Sequence, residues 1–139
     1  MCIESKFVTA GRAVFTVESA SGEWYTYKVN RSKGSEQYKP ALFVSLLTGP
    51  DNTADFTYLG TLDEYSGDVV LTAKSKYRLD STPVKVIRWA LRHVWTNKPL
   101  PAGYAIRHEG RCGRCGRALT VPESIETGIG PECAKVMGG

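Results

Sequence analysis

The amino-acid sequence predicts an α+β fold in which an N-terminal, largely antiparallel β-sheet is covered by one helix. Two patterns lead to this prediction. Over the first 80 residues, short runs of aromatic and β-branched residues alternate with turns rich in Gly, Ser, Asn and Asp, as in hairpin-linked strands. Residues 83–96 then place apolar side chains at the spacing of an amphipathic helix. We therefore predict a β-rich domain over residues 1–103 and a small C-terminal module over residues 104–139.

About five strands are expected before the helix. The first run, Phe7 to Val17, has a break at Gly11, and a turn at residues 19–22 leads to the second run, Trp24 to Val29. The remaining runs are residues 41–47, 55–62 and 69–72. Because the connections between successive runs are short, we expect antiparallel neighbours.

The helix is predicted from its amino end onward. Thr82 suits the N-cap, and Pro83 suits the first helical position, where the backbone N–H that proline lacks has no intrahelical partner. One stripe of the helix is apolar and should pack on the sheet: Val84, Ile87, Leu91, Val94 and Trp95. A further short strand is expected at residues 104–107.

The charge of the chain is concentrated in one stretch. There are 18 basic and 14 acidic side chains, for a net charge of +4, yet residues 81–117 hold eight basic side chains and one acidic one, which is +7. Clustered positive charge favours polyanionic partners such as nucleic acid. No apolar run approaches the roughly 20 residues of a spanning helix, and the first residues do not resemble a secretory signal. We therefore expect a cytoplasmic protein with no membrane partner.

The cysteine pattern predicts a metal site. Cys112 and Cys115 are separated by two residues and each is followed by Gly, which is typical of a zinc knuckle. Cys133 is the third expected ligand, and His108 is our choice for the fourth, with Cys2 as the alternative. Four protein ligands close the coordination sphere, so we expect one structural Zn²⁺ in a treble-clef or ribbon-like module. The competing interpretation is a redox pair or inert thiols.

The cysteine segment also resembles a known family. The run from Cys112 to Cys133, CGRCGRALTVPESIETGIGPEC, is similar to a small zinc-module family of unknown function that occurs in phage and mobile-element proteins. The resemblance covers about residues 104–136. It implies zinc ligation by the three cysteines with His108, and an origin in a phage or mobile element. It implies no reaction and no substrate.

Two sets of residues are candidates for partner binding. On the helix, Trp89 lies away from the apolar stripe and is surrounded by cations, as in a stacking platform with phosphate contacts or an interface hot spot; the alternative is that Trp89 packs beneath the C-terminal module. The cations are Lys85, Arg88 and Arg92. In the cysteine segment, arginines either donate hydrogen bonds to the thiolates or bind phosphate. These are Arg111, Arg114 and Arg117.

The sequence therefore predicts a small zinc-stabilised protein that binds nucleic acid, either DNA or RNA. The alternative is a phage-encoded inhibitor of a host defence system, such as an anti-CRISPR, in which the sheet or the hairpin tyrosines Tyr25 and Tyr27 contact a host protein complex. A purely structural accessory is a third possibility. No Ser–His–Asp order, paired-carboxylate motif or phosphate-cradling loop is present, so we expect neither an enzyme nor a small-molecule substrate.

Overall fold

Six strands form one sheet in the computed structural model, which describes residues 5–32, 41–50, 55–108, 112–114 and 128–129. The strands are β1 (Arg12–Glu18), β2 (Trp24–Arg31), β3 (Leu42–Leu47), β4 (Phe56–Leu62), β5 (Val69–Val70) and β6 (Ala105–His108). Within the same ranges there are two helices, α1 (Ser5–Val8) and α2 (Thr82–Trp95). None of the helices in these ranges is long and apolar enough to cross a membrane.

The sheet is antiparallel throughout, and its strand order is β5-β4-β3-β2-β1-β6. Strands β1 to β5 follow one another as a meander, so the chain ends this series at one edge of the sheet. It then returns through α2 to the opposite edge, where β6 pairs with β1. The predicted α+β class and the antiparallel sheet are confirmed.

One face of the sheet is buried. Strand β1 alternates buried and half-buried residues, with Ala13, Phe15 and Val17 pointing to the same side. The core consists of such alternating residues together with the apolar side of α2. Strand β6 also contributes to this buried face, because Ile106 pairs with Val17 and is only 5% exposed.

Helix α2 supplies the cover for this face. Val84, Ile87 and Leu91 are fully buried and Val94 is nearly so, as the apolar stripe predicts, whereas Trp95 is only half-buried. The predicted N-cap is wrong by one position: the helix begins at Thr82, and the N-cap is Ser81. The Ser81 hydroxyl donates to the carbonyl of Arg78 at 2.6 Å and makes no capping bond to the helix.

The amino end of the chain differs from the prediction. Phe7 and Val8 were assigned to a strand, but they lie in α1, where both the backbone N–H and the hydroxyl of Thr9 donate to the carbonyl of Ser5 at 3.0 Å. Both apolar side chains are buried, at 1% and 0% exposure. Consecutive residues point to opposite sides of a strand but lie about 100° apart on a helix, so a helical turn can bury both.

Tyr27 joins β2 to α2. Its ring is fully buried, and its hydroxyl donates to the carbonyl of Pro83 at 2.7 Å. Burial, with smaller contributions from Tyr25 and Tyr77, raises the pKa of the Tyr27 hydroxyl above its ordinary value of 10.0. The folded protein therefore holds this phenol protonated at a pH at which the unfolded chain ionises it.

We expect Tyr27→Phe to change the alkaline stability of the protein. At neutral pH the lost hydrogen bond should cost about 1 kcal/mol of unfolding free energy. Because the folded pKa is raised, the contribution of the hydroxyl is complete below pH 10 and is lost as the pH rises. Urea denaturation from about pH 10 to about pH 11.5 should thus show a steeper fall for the wild type than for the variant. Tyr65→Phe, at a position that is 90% exposed, should keep the wild-type slope. Equal slopes for wild type and Tyr27→Phe would contradict this account.

Candidate functional site

A cleft of about 560 Å³ lies between α2, the hairpin that joins β1 to β2, and the segment before β6. Three aromatic side chains, one from each of these elements, line it: Trp89, Tyr25 and Tyr104. Two charged side chains, Lys85 and Glu23, also line it. Among the residues that the structure describes, the cleft thus combines apolar walls with one cation and one anion.

Trp89 makes edge-on contacts with two neighbouring rings. The Trp89 ring centroid is 5.1 Å from that of Tyr104, at an interplanar angle of 63°, and 4.9 Å from that of His93, at 66°. These are favourable geometries for aromatic pairs. Trp89 is half-buried and packs against the core, while Tyr104 is 39% exposed. Trp89 is therefore a fixed wall with access from the cleft.

The cations predicted on α2 separate into two groups. Lys85, Trp89 and Arg92 are spaced i, i+4 and i+7 and share one helix face, on which both cations are exposed. Neither forms an ion pair with the residues that the structure describes. Arg88 instead points toward β5, where its Nε lies 3.2 Å from Oδ1 of Asp68. Lys85, Trp89 and Arg92 therefore share one face of the helix. Arg88, the fourth residue predicted for this surface, forms an ion pair with Asp68 instead.

The amino end of α2 adds to the positive potential beside the cleft. Thr82, the first residue of the helix, lines the cleft, and the first turn contains no acidic side chain. A helix N-terminus carries partial positive charge, which favours nearby anions. Glu23 lies on the hairpin side, where its backbone N–H donates to the hydroxyl of Ser19 at 3.2 Å.

The cysteine segment contacts the sheet through a tight turn at residues 112–114. Cys112 is fully buried, and the backbone N–H of Arg114 donates to its sulfur at 3.4 Å. The carbonyl of Gly113 accepts from the N–H of Arg12 at 2.6 Å, and the N–H of Gly113 donates to the carbonyl of Gly128 at 2.8 Å. This turn is therefore bonded both to the start of β1 and to the chain before Cys133.

Phe7 packs against this turn. A Cβ on Gly113 would lie 2.7 Å from Cδ1 of Phe7, and a Cβ on Gly128 would overlap the same ring. The Phe7 ring centroid is also 5.8 Å from that of His108. His108 pairs with Phe15 across β6 and β1, which places it on the buried side of the sheet. Phe7 therefore lies beside His108 and beside the turn that contains Cys112, which are two of the predicted ligand positions.

The donor chemistry at the described positions fits a zinc site. An amide N–H directed at a cysteine sulfur stabilises the thiolate form that zinc requires. Cys115, Cys133 and Cys2 lie outside the described residues, as do Arg111 and Arg117. Among the described residues, no three His, Cys, Asp or Glu side chains form a group that could hold a metal ion. The complete ligand set thus stays a prediction.

Comparison with known proteins relates the cysteine segment to a protein family. Residues 105–138 match a family of unknown function, DUF6011. The segment that resembled an uncharacterised family in its cysteine pattern is thereby confirmed as similar to one. No curated protein and no solved structure matches the chain.

Sequence reasoning missed several residues of the cleft. Pro101 lies in the segment predicted to end the helix, Tyr104 is the first residue of the short strand expected at residues 104–107, and Glu23 follows the predicted hairpin turn at residues 19–22. No local pattern connects these positions, because they come together only when β6 pairs with β1. Of the two hairpin tyrosines named for partner contact, Tyr27 is fully buried in the core and is not accessible, whereas Tyr25 lines the cleft.

Substitution of Gly128 tests the contact with Phe7. Gly128 has φ +76°, and an added Cβ would overlap the Phe7 ring, so Gly128→Ala meets both backbone strain and a clash. Gly22 is a matched control, because it has φ +87° but nothing within 4 Å of its added Cβ. In urea denaturation, Gly22→Ala should lower the free energy of unfolding by about 1 kcal/mol. Gly128→Ala should lower it by about 1–3 kcal/mol more, because of the clash with Phe7. Equal costs would show that Phe7 does not fill this space.

Proposed function

We propose that this protein binds nucleic acid through the exposed cations of α2 and the adjoining aromatic cleft, and that one structural zinc ion stabilises it. The observation that carries the proposal is the face formed by Lys85, Trp89 and Arg92. Two cations there flank a tryptophan that also lines a cleft with two tyrosines. A cationic track beside aromatic rings is the arrangement with which proteins bind polynucleotides without sequence preference.

The charge distribution supports the same proposal. The stretch of residues 81–117 carries +7, while the rest of the chain has slightly more acidic than basic side chains. Arg88 and Arg107 are engaged with Asp68 and Glu18, each at 3.2 Å. Lys85 and Arg92 on α2 therefore carry the positive field of this face, and each phosphate that they neutralise releases condensed counterions.

The zinc ion has a structural role in this proposal. Cys112, Cys115, Cys133 and His108 hold it, and the bound ion cross-links the two ends of the cysteine segment without an open position for substrate. The amide bond to the sulfur of Cys112 supports the assignment. The resemblance of the cysteine segment supports an origin in a phage or mobile element, with action in the cytoplasm of a bacterial host. Arg114 is exposed and adds positive charge beside the turn.

A second candidate function is inhibition of a host defence system through protein binding. Trp24, on the face of the sheet opposite α2, is 60% exposed, and a large exposed aromatic side chain is typical of an interface anchor. Elsewhere on this face, Phe43 and Tyr58 form an edge-on pair with ring centroids 6.0 Å apart. This function predicts association with a protein complex and no binding to oligonucleotides.

Salt dependence tests the nucleic-acid proposal. Lys85→Glu combined with Arg92→Glu should weaken binding of a mixed-sequence oligonucleotide, because both phosphate contacts are replaced by repulsion. Each contact to a single strand contributes about 0.7 to the slope of log K against log salt, so the slope should fall by about 1.4. Fluorescence anisotropy between about 50 and about 200 mM salt measures both quantities.

Lys74→Glu combined with Lys76→Glu is the matched control, because it changes the net charge equally at two exposed lysines outside this face. This control should keep most of the wild-type slope. Equal effects of the two double variants would show that net charge alone determines binding. No oligonucleotide binding at low salt would overturn the proposed function.

Metal analysis tests the zinc proposal. We expect about one zinc per chain in the wild type, much less in Cys112→Ser, and a lower Tm for that variant or after chelation, because metal binding contributes directly to folding. Cys2→Ser should retain zinc and His108→Ala should lose it. Zinc well below one per wild-type chain, or Cys112→Ser with unchanged zinc and Tm, would contradict the site. Loss of zinc in Cys2→Ser together with retention of zinc in His108→Ala would make Cys2 the fourth ligand.

A further inference from the structure

The cleft has the size and the wall chemistry of a ligand site. Its volume of about 560 Å³ lies within the range of about 300–1,000 Å³ that is usual for ligand pockets. Trp89, Tyr104 and Tyr25 give it aromatic walls, and Val86 and Pro101 add apolar surface. An occupant that fills such a cleft has flat apolar faces.

Two charged side chains, Lys85 and Glu23, line the cleft. Lys85 donates hydrogen bonds and carries the positive charge that a phosphate needs, and no described residue pairs with it. Glu23 is exposed and accepts N–H groups. Every nucleobase has flat π-faces and at least one N–H donor on its edge, and in a strand it is linked to phosphates.

We propose that the cleft holds one unstacked base of a single-stranded nucleic acid, with an adjoining phosphate at Lys85. This inference rests on the proposed function and makes it more specific. In a duplex the faces of each base are covered by its neighbours, so a duplex reaches only the exposed cations Lys85 and Arg92. A single strand reaches these cations and also inserts a base beside Trp89. The protein therefore prefers single strands without selecting their sequence.

The contacts of Trp89 make the cleft suitable for stacking. The Trp89 ring centroid lies 4.9 Å from that of His93 and 5.1 Å from that of Tyr104, so this side chain is already packed against two neighbours before a base binds. A ring that is already fixed loses little conformational freedom on binding, which strengthens the complex. Stacking on an aromatic side chain strengthens single-strand binding by roughly fivefold or more for each base.

The test compares the effects of Trp89→Leu and Trp24→Leu on nucleic-acid binding. Fluorescence anisotropy should show that a 12-nucleotide single strand of mixed sequence binds the wild type more tightly than the corresponding duplex. Trp89→Leu should weaken binding of the single strand by roughly fivefold or more and leave duplex binding within about twofold. Trp24→Leu, on the opposite face of the sheet, should change neither.

A second variant guards against misfolding of Trp89→Leu. Tyr104 is 39% exposed, so Tyr104→Leu removes a cleft wall with less loss of core packing, and it should also weaken single-strand binding selectively. Tyr65→Leu, at a position that is 90% exposed and outside the cleft, should have no effect. Equal affinity of wild type for single strand and duplex, or equal losses for both in the two cleft variants, would overturn the inference and leave the proposed function standing. If neither the single strand nor the duplex binds the wild type at low salt, both the inference and the proposed function are overturned.

A free nucleotide offers the same base and phosphate, so AMP is titrated separately by tryptophan fluorescence. The inference expects AMP to bind at least about a hundredfold more weakly than the single strand, because a strand makes several phosphate contacts. AMP binding as tight as strand binding would assign the cleft to a free nucleotide and overturn the strand part of the inference.

Discussion

The packing of α2 across the buried face of the sheet is the interaction on which the other features depend. Val84, Ile87 and Leu91 are completely buried there. Burial of each such side chain contributes about 1.5–3 kcal/mol to the free energy of unfolding, compared with leaving it exposed. Once these residues face the sheet, the helical repeat determines the direction of the rest. Trp89 then lies toward β1 and Tyr104, and Arg88 lies toward β5 and Asp68. The cleft and the ion pair between Arg88 and Asp68 therefore both follow from the way α2 packs on the sheet.

A second contact links the cysteine segment to this core. Phe7 fills the space beside Gly113 and Gly128, and Cys112 and Ile129 belong to the same buried cluster as the residues under α2. The hydrogen bond from the N–H of Arg12 to the carbonyl of Gly113 also joins the turn at residues 112–114 to the start of β1. Under our proposal, zinc contributes to the stability of the sheet as well as to that of the cysteine segment.

Local sequence patterns were sufficient for most elements of the fold. Residues 83–96 were predicted as the helix and α2 spans Thr82–Trp95, because a long amphipathic repeat and a proline near its start leave little ambiguity. The same reasoning failed for Phe7 and Val8, since two apolar residues are too few to distinguish a strand from a helical turn. The family match over residues 105–138 and the cysteine pattern concern the same segment.

The candidate site was predicted only in part, for a physical reason. Lys85, Trp89 and Arg92 were found because they share one helix face. Tyr104 and Glu23 were not, because the pairing of β6 with β1 brings together residues about 90 positions apart, and no local periodicity encodes that pairing. The engagement of Arg88 by Asp68 depends in the same way on how the helix lies relative to β5.

The most direct measurement of the central claim uses the indole N–H signals of the three tryptophans in a ¹⁵N-correlated NMR spectrum. Trp24 lies on the face of the sheet opposite α2, Trp95 donates its indole N–H to the carbonyl of Glu64 at 3.0 Å, and Trp89 lines the cleft. On titration with a short single strand, our account predicts a saturable shift of the Trp89 signal while the other two stay in place. A shift of the Trp24 signal with Trp89 unchanged would place the binding surface on the opposite face and contradict it.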